Sequence, residues 1–258
     1  MKLYFKYIGI LFKSRMQYKV SFFMTAFGQF LITFTGFAGI FFLFERFHSV
    51  KGFDFPETLL CFATVTFSFS IAECFFRGFD SFAALIKSGE LDRILIRPRG
   101  VIFQVLTSKM EFTRVGRFLT ALFVFIYAAP ASGVRWNAEK ILIVFLMIAG
   151  GVAVFSGLFM IYAGFSFFTI EGLEFMNIFT DGTKEFGRYP LSIYGRELLL
   201  FYTFVIPIAP FQYYPFLYLI GQTDRAWYGL LPLTGFLFII PALAFFRFGL
   251  RRYRSTGS

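Results

Sequence analysis

The sequence predicts an all-α integral membrane protein with six transmembrane helices. An N-terminal interfacial helix, a short cytoplasmic helix between helices 2 and 3, and an outer re-entrant element between helices 5 and 6 complete the expected fold. Three observations carry this. Apolar runs of roughly 20 residues recur, the length that crosses ~30 Å of hydrocarbon. Only 16% of residues are charged and 57% are hydrophobic, against about 25% charged in an ordinary soluble domain. No polar stretch is long enough to form a soluble domain, so residues 1–258 read as a single transmembrane domain.

Residues 1–19 are too basic to span. Lys2, Lys6 and Lys13 fall within ~40° of one another on a helical wheel, while Leu3, Ile8, Ile10, Leu11 and Phe12 cover much of the remaining circumference. Such a helix lies on a lipid surface. The apolar run that follows is too long for a signal-peptide core and lacks a small-residue cleavage site, so removal is not expected.

The six spans are expected at 20–44, 58–79, 116–134, 141–170, 190–207 and 227–246. Six crossings put both termini on one side, and the basic residues choose which. With the N-terminus, 80–117, 171–196 and the tail assigned inside, and Arg77 counted with them, all but five of the 25 Lys and Arg are inside. The positive-inside rule then places both termini in the cytoplasm. The net charge of +10 is therefore topology plus attraction to anionic lipid heads. Nucleic acid is not an expected partner, because no solvated basic face with readers is offered.

Residues 207–226 are apolar but carry Pro207, Pro210 and Pro215. Each proline removes a backbone hydrogen bond and clashes with the preceding turn. Irregular backbone at membrane depth survives only when sheltered by protein or lining a wet cavity. The stretch reads as a re-entrant element on the outer side. The alternative is a kinked continuation of span five with interfacial Tyr213, Tyr214, Tyr218 and Trp227. In span four, Ala149, Ala153 and Gly157 recur every four residues, with Gly150, Gly151 and Gly164 nearby. Small residues on one face let membrane helices approach closely, which suits a packed bundle and a subunit interface.

No catalytic set is present: no GxSxG, HExxH or Walker loop, and no Cys/His ligand spacing. Cys61 and Cys74 fall on different faces of one apolar run and read as free thiols. His48 reads as an interfacial loop residue. No metal or cofactor is expected in this chain. The polar pair within a span is Glu73 and Arg77, one helical turn apart, each the other's nearest candidate partner. It is either part of a pathway or a structural pair near an inner boundary. Ion coupling would need several intramembrane carboxylates around a cavity, and Glu73 is essentially alone. A separate ATPase would instead need a cytoplasmic docking element.

Residues 87–100, KSGELDRILIRPRG, have the features of one. Gly89 breaks the helix continuing from span two. Glu90 and Asp92 suit the first turn of a new short helix. Leu91, Ile94 and Leu95 share one face at i, i+3, i+4, Arg93 and Arg97 flank it, and Pro98 ends it. A partner's groove fits this pattern, and so does a turn lying on the bilayer; pattern alone leaves the two level.

Residues Gly89 to Pro98 resemble the G-x-L/F-D-x-x-L-x-R-P signature in membrane subunits of type-2 ABC exporters, in the subgroup of small six-helix permeases. Arg188-Tyr189-Pro190-Leu191-Ser192-Ile193-Tyr194 leading to Val205-Ile206-Pro207, and the ending Gly249-Leu250-Arg251-Arg252-Tyr253-Arg254-Ser255-Thr256-Gly257, are similar to further habits of that subgroup. The resemblance covers essentially the whole chain. It implies a permease that pairs with a second permease, identical or paralogous, to form the pathway between them. A separate cytoplasmic ATP-binding subunit holding ATP and Mg would dock on a coupling helix within 86–98, with Gly89, Glu90, Leu91, Asp92, Ile94, Leu95, Arg97 and Pro98 as the docking residues. Element 207–226 would match the family's outer re-entrant element. The implied location is a bacterial inner membrane, and the cargo, given 44 phenylalanines, is expected to be amphipathic, drug-like or lipid-like.

Overall fold

The computed structural model describes residues 2–169 and 174–254. Residue 170 at the end of the fourth expected span, residues 171–173 of the expected inner loop and residues 255–257 of the chain-end stretch lie outside the described residues. Among the described residues the fold is helical, with one isolated bridge between Val50 and Phe53.

Helix α1 (Lys2–Arg15) buries no residue and is followed by a 3₁₀ turn and α2 (Lys19–Arg46). Tyr18, at φ −109° and ψ 67°, marks the change of element. The third helix, α3 (Phe55–Asp80), starts where Pro56 presets the first turn and the Asp54 backbone N–H donates to Glu57 Oε2 at 3.0 Å, a capping arrangement that satisfies an otherwise orphan donor. Three short helices follow, α4 (Phe82–Lys87), α5 (Glu90–Leu95) and α6 (Val101–Ser108). Then come α7 (Val115–Ala131) and α8 (Ala138–Phe165); the latter is capped by Asn137 Oδ1, which accepts from the Lys140 N–H at 2.8 Å. A short α9 (Phe175–Asn177), a π turn (Ile178–Gly182) and α10 (Thr183–Gly187) form one interrupted helical run. Helices α11 (Arg196–Phe204), α12 (Ile208–Phe211), α13 (Tyr213–Leu219) and α14 (Thr234–Arg252) complete the described chain, with a 3₁₀ stretch, Ala226–Leu233, leading into the last.

Among the described residues, five helical stretches are long and apolar enough to cross a membrane, Lys2–Arg46, Phe55–Lys87, Phe112–Ala131, Ala138–Phe165 and Ala226–Arg252, and a bent pair, Arg196–Phe204 with Ile208–Leu219, makes a sixth if counted as one span. Their contacts fix relative direction. Arg117 and Thr120 of α7 bond Gln29 and Phe30 of α2, residue numbers rising together, so those helices are parallel. Phe67 of α3 meets Phe118 and Phe125, and Phe55 meets Tyr127, so α3 opposes α7. Ser68 donates to Ile148 O, Phe69 meets Phe155 edge to face, and Phe82 meets Phe167, so α8 runs with α3. Finally, Gly150 faces Gly235, Gly157 faces Ala242 and Gly164 faces Gly249, so α14 runs parallel to α8.

Two consecutive long helices can be parallel only if the chain between them returns the full height of the bundle. The contacts show where it does so. Phe175 packs on Phe165 at the end of α8. Lys184 then lies over Phe69, Gly187 against Val65, and Arg188 over Phe62. Lys51 Nζ at the opposite end donates to Ser192 O at 3.2 Å. Residues 175–192 therefore climb α3 backwards from end to end. This polar, interrupted run thus lies along α3, and the span expected at 190–207 falls on the segment that follows it, a helix pair bent at a short break. Helix α11, at nine residues, is only ~14 Å long, about half of what a crossing needs. The chain bends by 84° between Arg196–Phe204 and Ile208–Leu219. Pro207 stands at that bend, while Pro210 and Pro215 are buried within α12 and α13. Tyr218 and Leu219 then reach Glu139 and Lys140 at the start of α8. Both readings of 207–226, a re-entrant element and a kinked continuation, share this bent geometry.

The small-residue seam also differs from expectation. Gly150, Gly157 and Gly164 recur every seven residues and face Gly235, Ala242 and Gly249, spaced likewise. An interval of seven drifts only ~20° around a straight helix, so it keeps one face toward a parallel partner over several turns. The interval of four through Ala149, Ala153 and Gly157 drifts faster; Ala153 and Gly157 are buried and Ala149 is half-buried. A Cβ at Gly157 would stand 2.8 Å from the Phe238 ring of the same chain, so this part of the face packs within the bundle.

One labelling experiment separates a crossing at 175–192 from the expected one at 190–207. A cysteine placed at Ser192 should react from the same side of the membrane as one at Lys51, because the two positions touch. The sequence puts residue 192 on the opposite side, and labelling there would sink a crossing at 175–192.

Candidate functional site

Two polar features stand out in this apolar bundle: the 89–98 motif at one end, and a cluster of charges inside. The motif is built as follows. Gly89 adopts φ +69°, a left-handed conformation that glycine takes without Cβ strain, and it breaks the chain between α4 and α5. Glu90 is exposed and Asp92 is half-buried, both in the first turn of α5. Leu91 is fully buried and Ile94 is 7% exposed. The expected contact face of Leu91, Ile94 and Leu95 is thus not one outward surface. Its first two members point inward, because a short helix with a single apolar face buries that face on its own bundle when one is available. What faces outward is Leu95 at 41% and Ile96 at 84%, rimmed by exposed Arg93, Arg97 and Pro98.

The motif is held firmly. Gln104 Nε2 of α6 donates to Ile94 O and Arg99 O, each at 2.9 Å. Helix α6 in turn crosses α3 at Gly78, where any Cβ would collide with the carbonyl of Val105. On the other side the Tyr253 hydroxyl faces Asp92; burial and then that negative charge push the phenol pKa up. The first and third sequence stretches that resemble the family therefore meet at one end of the bundle.

Inside, Glu73 is 4% exposed and is surrounded by guanidinium groups. Arg117 Nη1 lies 2.5 Å from Oε2, and Arg114 Nη2 and Arg77 Nη1 lie 3.2 and 3.4 Å from Oε1. Arg77 makes its closer pair with Asp80, and Arg117 Nε also donates to Gln29 Oε1 at 2.7 Å. The expected Glu73–Arg77 pair exists, but it is the weakest limb of a cluster tying α3 to α7 and α2. Arg114 and Arg117 are one helical turn apart at the start of α7; the sequence reading counted both as loop charges. Their i, i+3 spacing beside an apolar run was the available signal.

A second charged group lies on the 175–192 run. Lys184 Nζ is 2.8 Å from Asp181 Oδ1 and 3.4 Å from Glu185 Oε1, and Arg188 pairs with Glu185. Lys184 and Arg188 also cover the rings of Phe69 and Phe62, a favourable placement for desolvated cations. Apolar space gathers elsewhere: a cavity of about 800 Å³ between α1, α2, α3 and α7 is walled by Phe12, Phe22, Phe27, Phe30, Phe75 and Phe118 among others.

A family model described as ABC-2 family transporter protein matches residues 30–257 of this chain. No curated protein and no solved structure matches it. The match takes in all of the five long helices but the first part of one, the 89–98 motif and both charged groups.

Proposed function

The chain belongs to the ABC-2 family of transporter proteins, and we propose that it is the permease subunit of an ATP-driven exporter, moving an amphipathic, drug-like or lipid-like cargo by alternating access between two permeases. Members of this family are membrane transport components that work with an ATP-binding subunit and are not themselves catalytic domains. In this reading ATP and Mg are held by the partner. The second permease is a copy of this chain or a paralogue, and lipid surrounds the aromatic exterior.

One observation carries the reading: the exposed Leu95–Pro98 edge is anchored rigidly to the ends of two long helices. Buried Leu91 and Ile94 fix α5, the Gln104 amide ties it to α6, and α6 is locked against α3 at Gly78. A push on Leu95 and Ile96 would travel directly into α3 and, through the segment after α6, into α7. Ion coupling is the weaker alternative, because Glu73, the buried intramembrane carboxylate, is held by three arginines. Arg77, Arg114, Arg117, Lys184 and Arg188 belong to the bundle and leave the loop count. The remaining basic residues still favour the motif end, which supports placing it, α1 and the tail in the cytoplasm of a bacterial inner membrane. The α11–α13 bend would then be the outer re-entrant element.

The test is co-purification with the Walker-motif ATPase. Changing both Leu95 and Ile96 to Asp should weaken recovery roughly 30-fold, as expected when about 2 kcal/mol of apolar anchoring is lost. The permease should stay folded, since both side chains face outward. Full recovery of the ATPase by that variant would remove the docking claim.

A further inference from the structure

Halfway along the bundle, between α2, α7 and the 175–192 run, lies a cavity of about 320 Å³ bordered by Thr33, Gly36, Arg117, Lys184, Glu185 and Arg188. Its charged lining is three cations and one carboxylate. The cations are well sheltered, with side chains 14%, 10% and 11% exposed for Arg117, Lys184 and Arg188, whereas Glu185 is 54% exposed. We infer that this cavity receives the oxyanionic head, phosphate or carboxylate, of an amphipathic cargo, and that Glu185 occupies the cations in its absence. This deepens the exporter reading and rests on it for the word cargo.

Cations at mid-membrane depth are costly and mark a function by default. Arg117 has an internal reason to be there, since Glu73 and Gln29 bind it. Lys184 and Arg188 have none of that quality: their carboxylate partners Asp181 and Glu185 are more than half exposed, so water competes for both pairs. Arg188 Nε is buried with no hydrogen-bond partner, leaving one donor of a guanidinium fork free, and such forks match phosphate and carboxylate oxygens. Gly36 makes the room: a Cβ there would stand 3.0 Å from Arg188 Nη1. The volume corresponds to roughly ten waters at ~30 Å³ each, enough for a small head group. At the rim Ile32 is 60% exposed and offers an apolar surface for the tail.

The test measures binding of radiolabelled dodecyl phosphate to the purified full chain in neutral detergent, beside an uncharged dodecyl polyglycol ether and inorganic phosphate. Dodecyl phosphate should bind saturably and at least tenfold more tightly than either. Lys184→Gln and Arg188→Gln should each weaken it about tenfold, with the melting temperature as the folding control. Glu185→Gln removes only an exposed competitor and should bind severalfold more tightly than the parent. Equal binding of the ether, or no tightening in Glu185→Gln, overturns the site. Inorganic phosphate binding as well as the alkyl phosphate overturns the amphipathic source. The assay contains no ATPase, so binding can hold while the exporter reading fails by co-purification, and the reverse.

Discussion

Replacing Glu73 by Ala is expected to cost about 3–5 kcal/mol, the usual effect of leaving a buried charge without its counter-ion. Arg114 and Arg117, with side chains only 12% and 14% exposed, would then face each other and Arg77 with no carboxylate between them. Little folded protein should survive solubilisation, and what does should melt well below the parent in a thermal scan. The compensating experiment shows that the cause is charge and not shape. Changing Glu73 and Arg117 together to Leu removes one charge of each sign, and a buried pair replaced by well-packed apolar groups is often neutral. The double variant should therefore recover much of the loss, with Arg77 still held by Asp80. If Glu73→Ala melts like the parent, the cluster does not tie α3 to α7.

The second large effect is expected at the α8–α14 seam. Gly235→Val would place a Cβ inside contact distance of the carbonyl of Gly150, and the atoms it meets are all backbone. Backbone in a packed helix cannot swing aside as a side chain can, so the two helices must separate. Overpacking of this kind costs about 3 kcal/mol or more, and the close approach that stabilises helix pairs in a membrane is lost along the whole seam. Gly39 is the control, because nothing lies within 4 Å of a Cβ there. Gly39→Ala should be neutral or slightly stabilising, from the better helix propensity of Ala. A Gly235→Val variant that melts with the parent would contradict the parallel seam.

The parts of this fold that could be read from the sequence are those in which one residue type persists long enough to reveal itself. The first four spans and the last are long apolar runs, and the helices found follow them closely. The path of residues 175–192 along α3 is not legible, because Lys184, Glu185 and Arg188 give that run the polarity of a loop. Only the tertiary partners, Phe69 and Phe62 for the cations and Val65 beside Gly187, show that it runs through the bundle. The glycine and proline limits of the 89–98 motif were legible, since Gly89 and Pro98 act through local backbone. Periodicity correctly put Leu91 and Ile94 on one face, but periodicity does not say whether a face meets a partner or its own chain. The Glu73–Arg77 pair was visible as neighbours on one helix. Arg114 and Arg117 were not, because they approach Glu73 from another helix. The seam at intervals of seven has no meaning in the sequence alone, since it depends on α14 being parallel to α8.

The most direct test of the account places a photo-crosslinking amino acid at Ile96 of the full chain in its native membrane, with Leu91 as the buried comparison. The account predicts an adduct between position 96 and the cytoplasmic ATP-binding subunit, and none from position 91. Adducts to lipid alone at position 96, or an ATPase adduct of equal strength from position 91, would contradict it.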